Sequence, residues 1–175
     1  MRMRKWLVGG AVAVATVALV TEGLFFAVDE SPAGVFNGTS DTGTVPVLLF
    51  YYDAELDKDA EGNVQCSEAG MVPVEREIVL SETPIQDTIS LLLRGGITSD
   101  EAGRGLTTGF PLAGVALTGA SLRDGELTLS FADPESRTSG GSCRSKVLWT
   151  QIAMTAKQFP GVQRVKFLPE YLFQP

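Results

Sequence analysis

The 175-residue sequence contains no histidine and only two cysteines. The absence of histidine excludes Ser-His-Asp and Cys-His catalysis and removes the most common nitrogen ligand of zinc. A Ser-Lys pair remains as a nucleophilic option, but the pattern places Lys146 and Lys157 at ordinary exposed helix positions. The acidic residues between 53 and 61 crowd one loop, whereas glycoside hydrolysis needs two acids that converge across a cleft. We therefore expect no enzymatic activity.

Basic residues are also scarce. The chain has 14 lysines and arginines against 21 aspartates and glutamates. Three of the basic residues lie in the first five positions, so the remainder of the chain is more acidic still. A domain with this charge repels phosphate, and we expect it to bind no nucleic acid.

The N-terminus differs from everything that follows it. The basic start MRMRK precedes residues 7–20, which carry no charge, and Glu22 interrupts the apolar pattern afterwards. This arrangement predicts a membrane anchor or export signal over residues 1–28, with its positive end in the cytoplasm and the domain outside. The chain is then either a single-pass protein of the cell membrane or a protein secreted after signal cleavage.

Residues 29–44 are rich in Gly, Ser, Thr and Pro and predict a flexible linker. The domain is predicted over residues 45–175, in the order β-β-α-β-β-α-β. The expected strands are 45–52, 71–80, 115–122, 127–133 and 162–170, and the expected helices begin at Pro84 and Ser145. This order predicts an α+β class, with a single two-layer domain in which both helices pack on one sheet.

Two details of the chain between the second and third strands can be predicted. Thr83, Pro84 and Gln86 fit a capping box at the start of the first helix. Residues 97–114 are expected to form a long polar connection.

The stretch DKDAEGNVQCSE (57–68) approximates a calcium-binding loop. Its candidate ligands are Asp57, Asp59, Glu61 and Glu68, with a glycine at the sixth position. Glutamate at the fifth position would crowd a calcium ion, and the flanking elements are strands instead of helices. The alternative is a solvated acidic turn without a metal. Calcium is the one cofactor that the sequence suggests, and we expect that the protein requires none.

Cys66 and Cys143 are predicted to form a disulfide. Both lie in polar loops beside structured elements, in a chain that carries an export pattern. The alternatives are two free thiols or a mixed disulfide with a partner. Neither cysteine belongs to a Cys-x-x-Cys redox motif.

Two further features are candidates for anion binding. Arg76 falls on the apolar face of the second strand, where it is either a structurally paired charge or an anchor for a carboxylate ligand. Gly140, Gly141 and Ser142 precede the second helix, where they form either an ordinary helix start or an anion site.

The order of these segments resembles the GerMN domain family. The matching segments are MVPVEREI, TPIQDTISLLLRGG, GLTTGFPLAGVALTGASLRDGELTLSF and QIAMTAKQFPGVQRVKF. The resemblance implies an exported or membrane-anchored envelope protein without established catalysis, with a fold related to ring-building modules. The cysteine-containing segments depart from the family pattern, and the sequence has no spore-specific feature.

The resemblance and the composition together predict a non-catalytic binding or assembly module of the bacterial cell envelope. The expected partner is another envelope protein or a second copy of the chain, with the membrane contacted through the N-terminal helix. The alternative is a domain that binds a small anionic or cell-wall-derived molecule.

Overall fold

A computed structural model of the protein describes residues 43–174. The predicted membrane or signal segment, residues 1–28, and nearly all of the predicted linker lie outside these residues. No helix between residues 43 and 174 is both long and apolar enough to cross a membrane.

The first sheet has two antiparallel strands, β1 (Thr44–Tyr52) and β2 (Met71–Val79). Val47 lies opposite Arg76, and Leu49 lies opposite Val74. β-Branched and aromatic residues suit this pleated surface, and β1 buries Leu49 and Tyr51 completely. The long loop between the strands contains the acidic segment and ends in a 3₁₀ turn, Glu68–Gly70.

The second sheet has three strands, β3 (Ala116–Arg123), β4 (Glu126–Ala132) and β5 (Arg164–Leu168). Strands β3 and β4 form the predicted hairpin, in which Asp124 and Gly125 both have positive φ angles, as a tight two-residue turn requires. Strand β5 then pairs with β4 in parallel orientation.

The prediction of one sheet is wrong, because the strands divide into two. The outer edge of β1 is occupied by helix α3 (Ser142–Lys157) instead of another strand. The Gln158 side chain accepts a hydrogen bond from the Leu48 amide (2.8 Å) and donates one to the Leu48 carbonyl (2.7 Å). Gln151 donates to the Phe50 carbonyl at 2.9 Å. These side chains complete the hydrogen bonding of β1, so the two sheets remain separate.

Helix α1 (Pro84–Leu93) begins where the sequence predicts, with Thr83 at the N-cap. The predicted capping box is wrong, because the Thr83 side chain makes no capping hydrogen bond. Ser81 organises this turn instead: its hydroxyl accepts a hydrogen bond from the Thr83 amide at 3.1 Å and donates one to the Asp87 carboxylate.

A short helix, α2 (Ser99–Gly103), lies within the segment expected to be a polar connection. It has a complete capping box. The Thr98 hydroxyl accepts from the Glu101 amide at 3.2 Å, and the Glu101 carboxylate accepts from the Thr98 amide at 2.8 Å.

The main core lies where α1 and α3 meet the strands. Its fully or almost fully buried members include Leu49, Tyr51, Ile89, Leu92, Leu127, Leu129, Leu148 and Ile152. An aromatic group adjoins it near the C-terminus. There Phe167 contacts Phe131, Trp149 and Phe173, with ring centroids 5.1–5.9 Å apart.

Candidate functional site

A disulfide joins Cys66 to Cys143, with Cα atoms 5.3 Å apart across 77 positions of sequence. It fastens the β1–β2 loop to the first turn of α3. Cys66 is buried and has a φ of 52°, a left-handed conformation that few non-glycine residues adopt. Cys143 is exposed. The bond therefore fixes the position of the loop relative to the helix.

A cleft of about 530 Å³ opens beside the disulfide. This volume is within the range of small-ligand sites. The β1–β2 loop, the first turns of α3 and the C-terminal segment form its walls. The lining residues are Val64, Gln65, Cys66, Ser142, Cys143, Lys146, Trp149, Phe173 and Gln174. We call this the disulfide cleft.

Trp149 connects the disulfide cleft to a second cleft. The second cleft has a volume of about 400 Å³ and shares Trp149 and Gln174 with the first. The Trp149 ring is half-buried and packs edge-on against Phe167, with the ring centroids 5.9 Å apart. The indole is thus held in place from behind while part of it remains accessible.

The charges differ between the two clefts. Lys146 is the only charged residue that lines the disulfide cleft, and it forms no ion pair within residues 43–174. In the second cleft, Lys166 and Glu170 form an ion pair at 2.6 Å, and Glu126 also lines the wall. Of the two clefts, only the disulfide cleft is therefore lined by an exposed ammonium that has no ion-pair partner in the described residues.

The candidate calcium ligands do not converge on one point, and each has its own surroundings. The buried Asp57 carboxylate accepts hydrogen bonds from the Tyr52 hydroxyl (2.6 Å), the Ser67 amide (2.6 Å) and the Ser67 hydroxyl. Burial alone would raise the pKa of Asp57, but the bonds from Ser67 and Tyr52 outweigh it and hold the pKa below its usual value. Burial raises the pKa of the Tyr52 hydroxyl, and its hydrogen bond to the Asp57 carboxylate raises it further.

Asp59 organises a turn of its own. Its carboxylate accepts from the Glu61 and Asn63 amides at 3.0 and 2.7 Å and from the Gln65 side chain at 2.7 Å. Glu61 and Glu68 are exposed. Among the described residues, no group of three or more His, Cys, Asp or Glu side chains is arranged to hold a metal ion. The carboxylates of Asp57 and Asp59 already serve as acceptors for the loop.

Arg76 lies apart from the disulfide cleft. Its guanidinium donates to the Glu101 carboxylate at 2.8 Å and to the Gly96 carbonyl at 3.2 Å, and it lies 5.7 Å from the centre of the Tyr51 ring. The hydrogen bond from Arg76 lowers the pKa of Glu101 to about 2. Arg76 thus has a structural partner on α2.

Gly140 and Gly141 form the turn into α3. Both have positive φ angles, and Gly141 is an N-cap without a side-chain hydrogen bond. Ser142 follows as the first helical residue and lines the disulfide cleft. The structure therefore brings Ser142 together with Cys66 and Cys143, while Arg76 stands elsewhere.

The sequence pattern did not identify the cleft residues Lys146, Trp149, Phe173 and Gln174. Lys146 was expected only at an ordinary exposed helix position. The predicted disulfide could have indicated some of them. If Cys66 and Cys143 meet, the residues one helical turn after Cys143 must lie beside the loop that contains Cys66.

The order and pairing of the elements define an α+β domain built from two small sheets and three helices in the described residues. A family model described as "Germane: Sporulation and spore germination" matches residues 49–170. The chain belongs to this family, which confirms the resemblance seen in the sequence.

Two solved structures align with this chain. The tandem GerMN domains of the sporulation protein GerM from Bacillus subtilis align with a TM-score of 0.52 and 24% identity. That alignment covers 83% of this chain and 45% of the GerM chain, so this protein matches less than half of the tandem structure. The first GerMN domain of the same protein gives a TM-score of 0.48 and 17% identity, over 70% of this chain and 80% of that chain. No curated protein sequence matches this chain significantly.

Proposed function

We propose that the protein is a non-catalytic binding module of the bacterial cell envelope, placed outside the cytoplasmic membrane. It contacts another envelope protein or a second copy of itself through the disulfide cleft. The family description associates such domains with sporulation and spore germination, and the proposal takes from it only the domain type.

The composition of the disulfide cleft is the observation that carries this proposal. Its accessible groups are apolar surface, amide side chains, one hydroxyl and one ammonium. General acid-base chemistry needs ionisable groups poised within reach of a reacting atom. Two buried carboxylates with lowered pKa values, Asp57 and Glu101, are engaged in bonds that hold the fold together. The cleft is therefore suited to recognition.

The location outside the cytoplasm is supported by two independent features. The basic and apolar N-terminal segment has the charge order of an export signal or anchor. A structural disulfide persists in oxidising compartments and is uncommon in the cytosol.

A second candidate function is the binding of a small ligand. It is favoured by the shape of the disulfide cleft, which is concave and framed by Trp149 and Phe173, whereas protein interfaces are usually flatter.

The proposed role can be tested by photo-crosslinking in intact cells. A photoreactive phenylalanine derivative replaces Val64, which lines the disulfide cleft and is 41% exposed. The control position is Leu122, which is 39% exposed and lies outside this cleft. We expect a discrete crosslinked product from position 64 only. Equal products from both positions, or none from position 64, would contradict the assignment of the cleft.

A further inference from the structure

The two clefts that share Trp149 combine a partly accessible indole ring with neutral polar groups. Gln174 and Ser142 line the disulfide cleft beside the indole, and Gln65 offers its side-chain carbonyl there because its amide nitrogen already donates to Asp59 and Asn63. The apolar C–H face of a sugar ring stacks on an indole, while amides and hydroxyls bond the ring hydroxyl groups. The amphipathic indole is suited to such a ligand because it offers apolar surface at a wet site.

The charges of the two clefts restrict the net charge of a suitable ligand. Lys146 provides a single accessible cation, which matches one carboxylate on the ligand. In the neighbouring cleft the one lining cation, Lys166, is already paired with Glu170, so that cleft offers no unpaired cation to a second negative group. The arrangement thus fits a ligand that is mostly neutral and polar and carries one negative group.

We propose that the disulfide cleft binds a sugar that carries one carboxylate, with the ring stacked on Trp149 and the carboxylate paired with Lys146. The proposal rests on the second candidate function given above, the binding of a small ligand in the cleft, and adds the chemical class of that ligand. Two kinds of sugar supply this chemistry: uronic acids, and amino sugars that carry a lactyl ether.

Binding can be measured by the fluorescence of Trp149. The only other tryptophan is Trp6, so the full-length Trp6→Phe protein reports fluorescence from Trp149 alone. It is titrated with two matched pairs: glucuronic acid against glucose, and N-acetylmuramic acid against N-acetylglucosamine. We expect a saturable blue shift with at least one acid, with a dissociation constant of about 1 mM or tighter, and a weaker response to its neutral counterpart. The responding pair identifies the source of the sugar.

Lys146→Met provides the decisive variant, because Lys146 is exposed and its loss leaves the core intact. We expect it to weaken binding of the acid about tenfold and to leave the neutral sugar unchanged. Lys157→Met, an exposed lysine at the end of the same helix, is the matched control and should bind like the parent protein. Gln174→Ala, which changes an exposed lining residue, should weaken both sugars of the responding pair.

Three results would overturn the proposal: no response to any of the four sugars, equal affinity for acid and neutral sugar, or an acid preference that survives Lys146→Met. Preferential binding of a singly acidic, acetylated peptide would assign the cleft to a protein partner and would also overturn it. Failure of the sugar titration together with a crosslink from position 64 would reject the ligand while the proposed function stands. Failure of both experiments would reject both.

Discussion

The ion pair between Arg76 and Glu101 connects the edge strand β2 to the short helix α2. Both side chains are largely withdrawn from solvent, and Glu101 also closes the capping box of its helix. The sequence shows an arginine among apolar neighbours and so predicts that it needs a partner, but it does not identify the partner. Glu101 lies 25 positions away, and only the folded loop brings it near.

We predict that acid weakens this link. Because the folded-state pKa of Glu101 is about 2 and its ordinary value is 4.5, the contribution of the ion pair is complete above pH 4.5 and is lost as the pH falls towards 2. Arg76→Met should lower the free energy of unfolding by about 2 kcal/mol at neutral pH and by progressively less towards pH 2. Urea unfolding across this range measures the difference.

Arg164→Met is the control, because Arg164 pairs with Glu126 at an exposed site over 3.5 Å. It should change stability by less than about 0.5 kcal/mol at any pH. A loss for Arg76→Met that is equal at all pH values would contradict the assigned role of Glu101.

The acidic loop gives a second prediction at the residue scale. The carboxylates of Asp57 and Asp59 already accept several hydrogen bonds each, from the loop and from the Tyr52 hydroxyl. Calorimetric titration of the full chain should therefore show no saturable calcium binding below about 1 mM. A micromolar site that is abolished by Asp59→Ala would contradict this expectation.

At the scale of elements, helix α3 and the residue after it supply hydrogen bonds to the edge of β1 that a neighbouring strand would otherwise supply. Four of its polar residues, Ser145, Thr150, Gln151 and Thr155, are almost completely buried. A pattern of apolar and polar residues assigns such positions to solvent, so the sequence could predict the helix but not its contact with the edge of β1. Because α3 occupies the edge of β1, the strands form two sheets instead of the single sheet that the sequence predicts.

We predict that Gln151→Leu destabilises the protein by about 1–3 kcal/mol, because the carbonyl of Phe50 loses its donor in a buried place. Thermal or urea unfolding measures the loss. Gln163→Leu, an exposed glutamine before β5, should stay within about 0.5 kcal/mol of the parent protein. Equal effects of the two substitutions would show that the bonds from α3 to β1 contribute nothing.

The disulfide is the second link between elements, since it joins the β1–β2 loop to α3. Cys66→Ser, Cys143→Ser and the double variant should each lower the free energy of unfolding by about 2–4 kcal/mol, because each removes the same constraint on the unfolded chain. Unfolding under non-reducing conditions tests this. A single variant that clearly differs from the double variant would show that the remaining cysteine has another role.

At the scale of the whole molecule, the sequence predicts the order of strands and long helices with good accuracy. Local patterns determine these elements. The division into two sheets, helix α2 and the disulfide cleft arise from contacts between distant segments, which local patterns do not encode. The capping motif at Thr98 and Glu101 is an exception, because the Thr-x-x-Glu pattern that marks a helix start is visible in the sequence, although a polar connection was expected there.

The outer edge of β2 is the place where a second copy of the chain could add a strand to the first sheet. Since Val74 and Arg76 pair with β1, the backbone groups of Pro73, Glu75 and Glu77 point outward. Proline lacks an amide donor and the acids repel one another, so pairing of two copies along this edge is opposed. Association of copies is therefore expected to use other surfaces, such as the disulfide cleft.

The central claim is that the folded unit works outside the cytoplasm, with its binding cleft held by an intact Cys66–Cys143 bond. The most direct measurement is the redox state of these cysteines in living cells. Cells that produce the full chain are quenched in acid, denatured and treated with a maleimide of high mass before electrophoresis. We expect no shift without prior reduction and a shift of two labels after it, because the chain has two cysteines. Two labels without reduction would contradict both the location and the cleft.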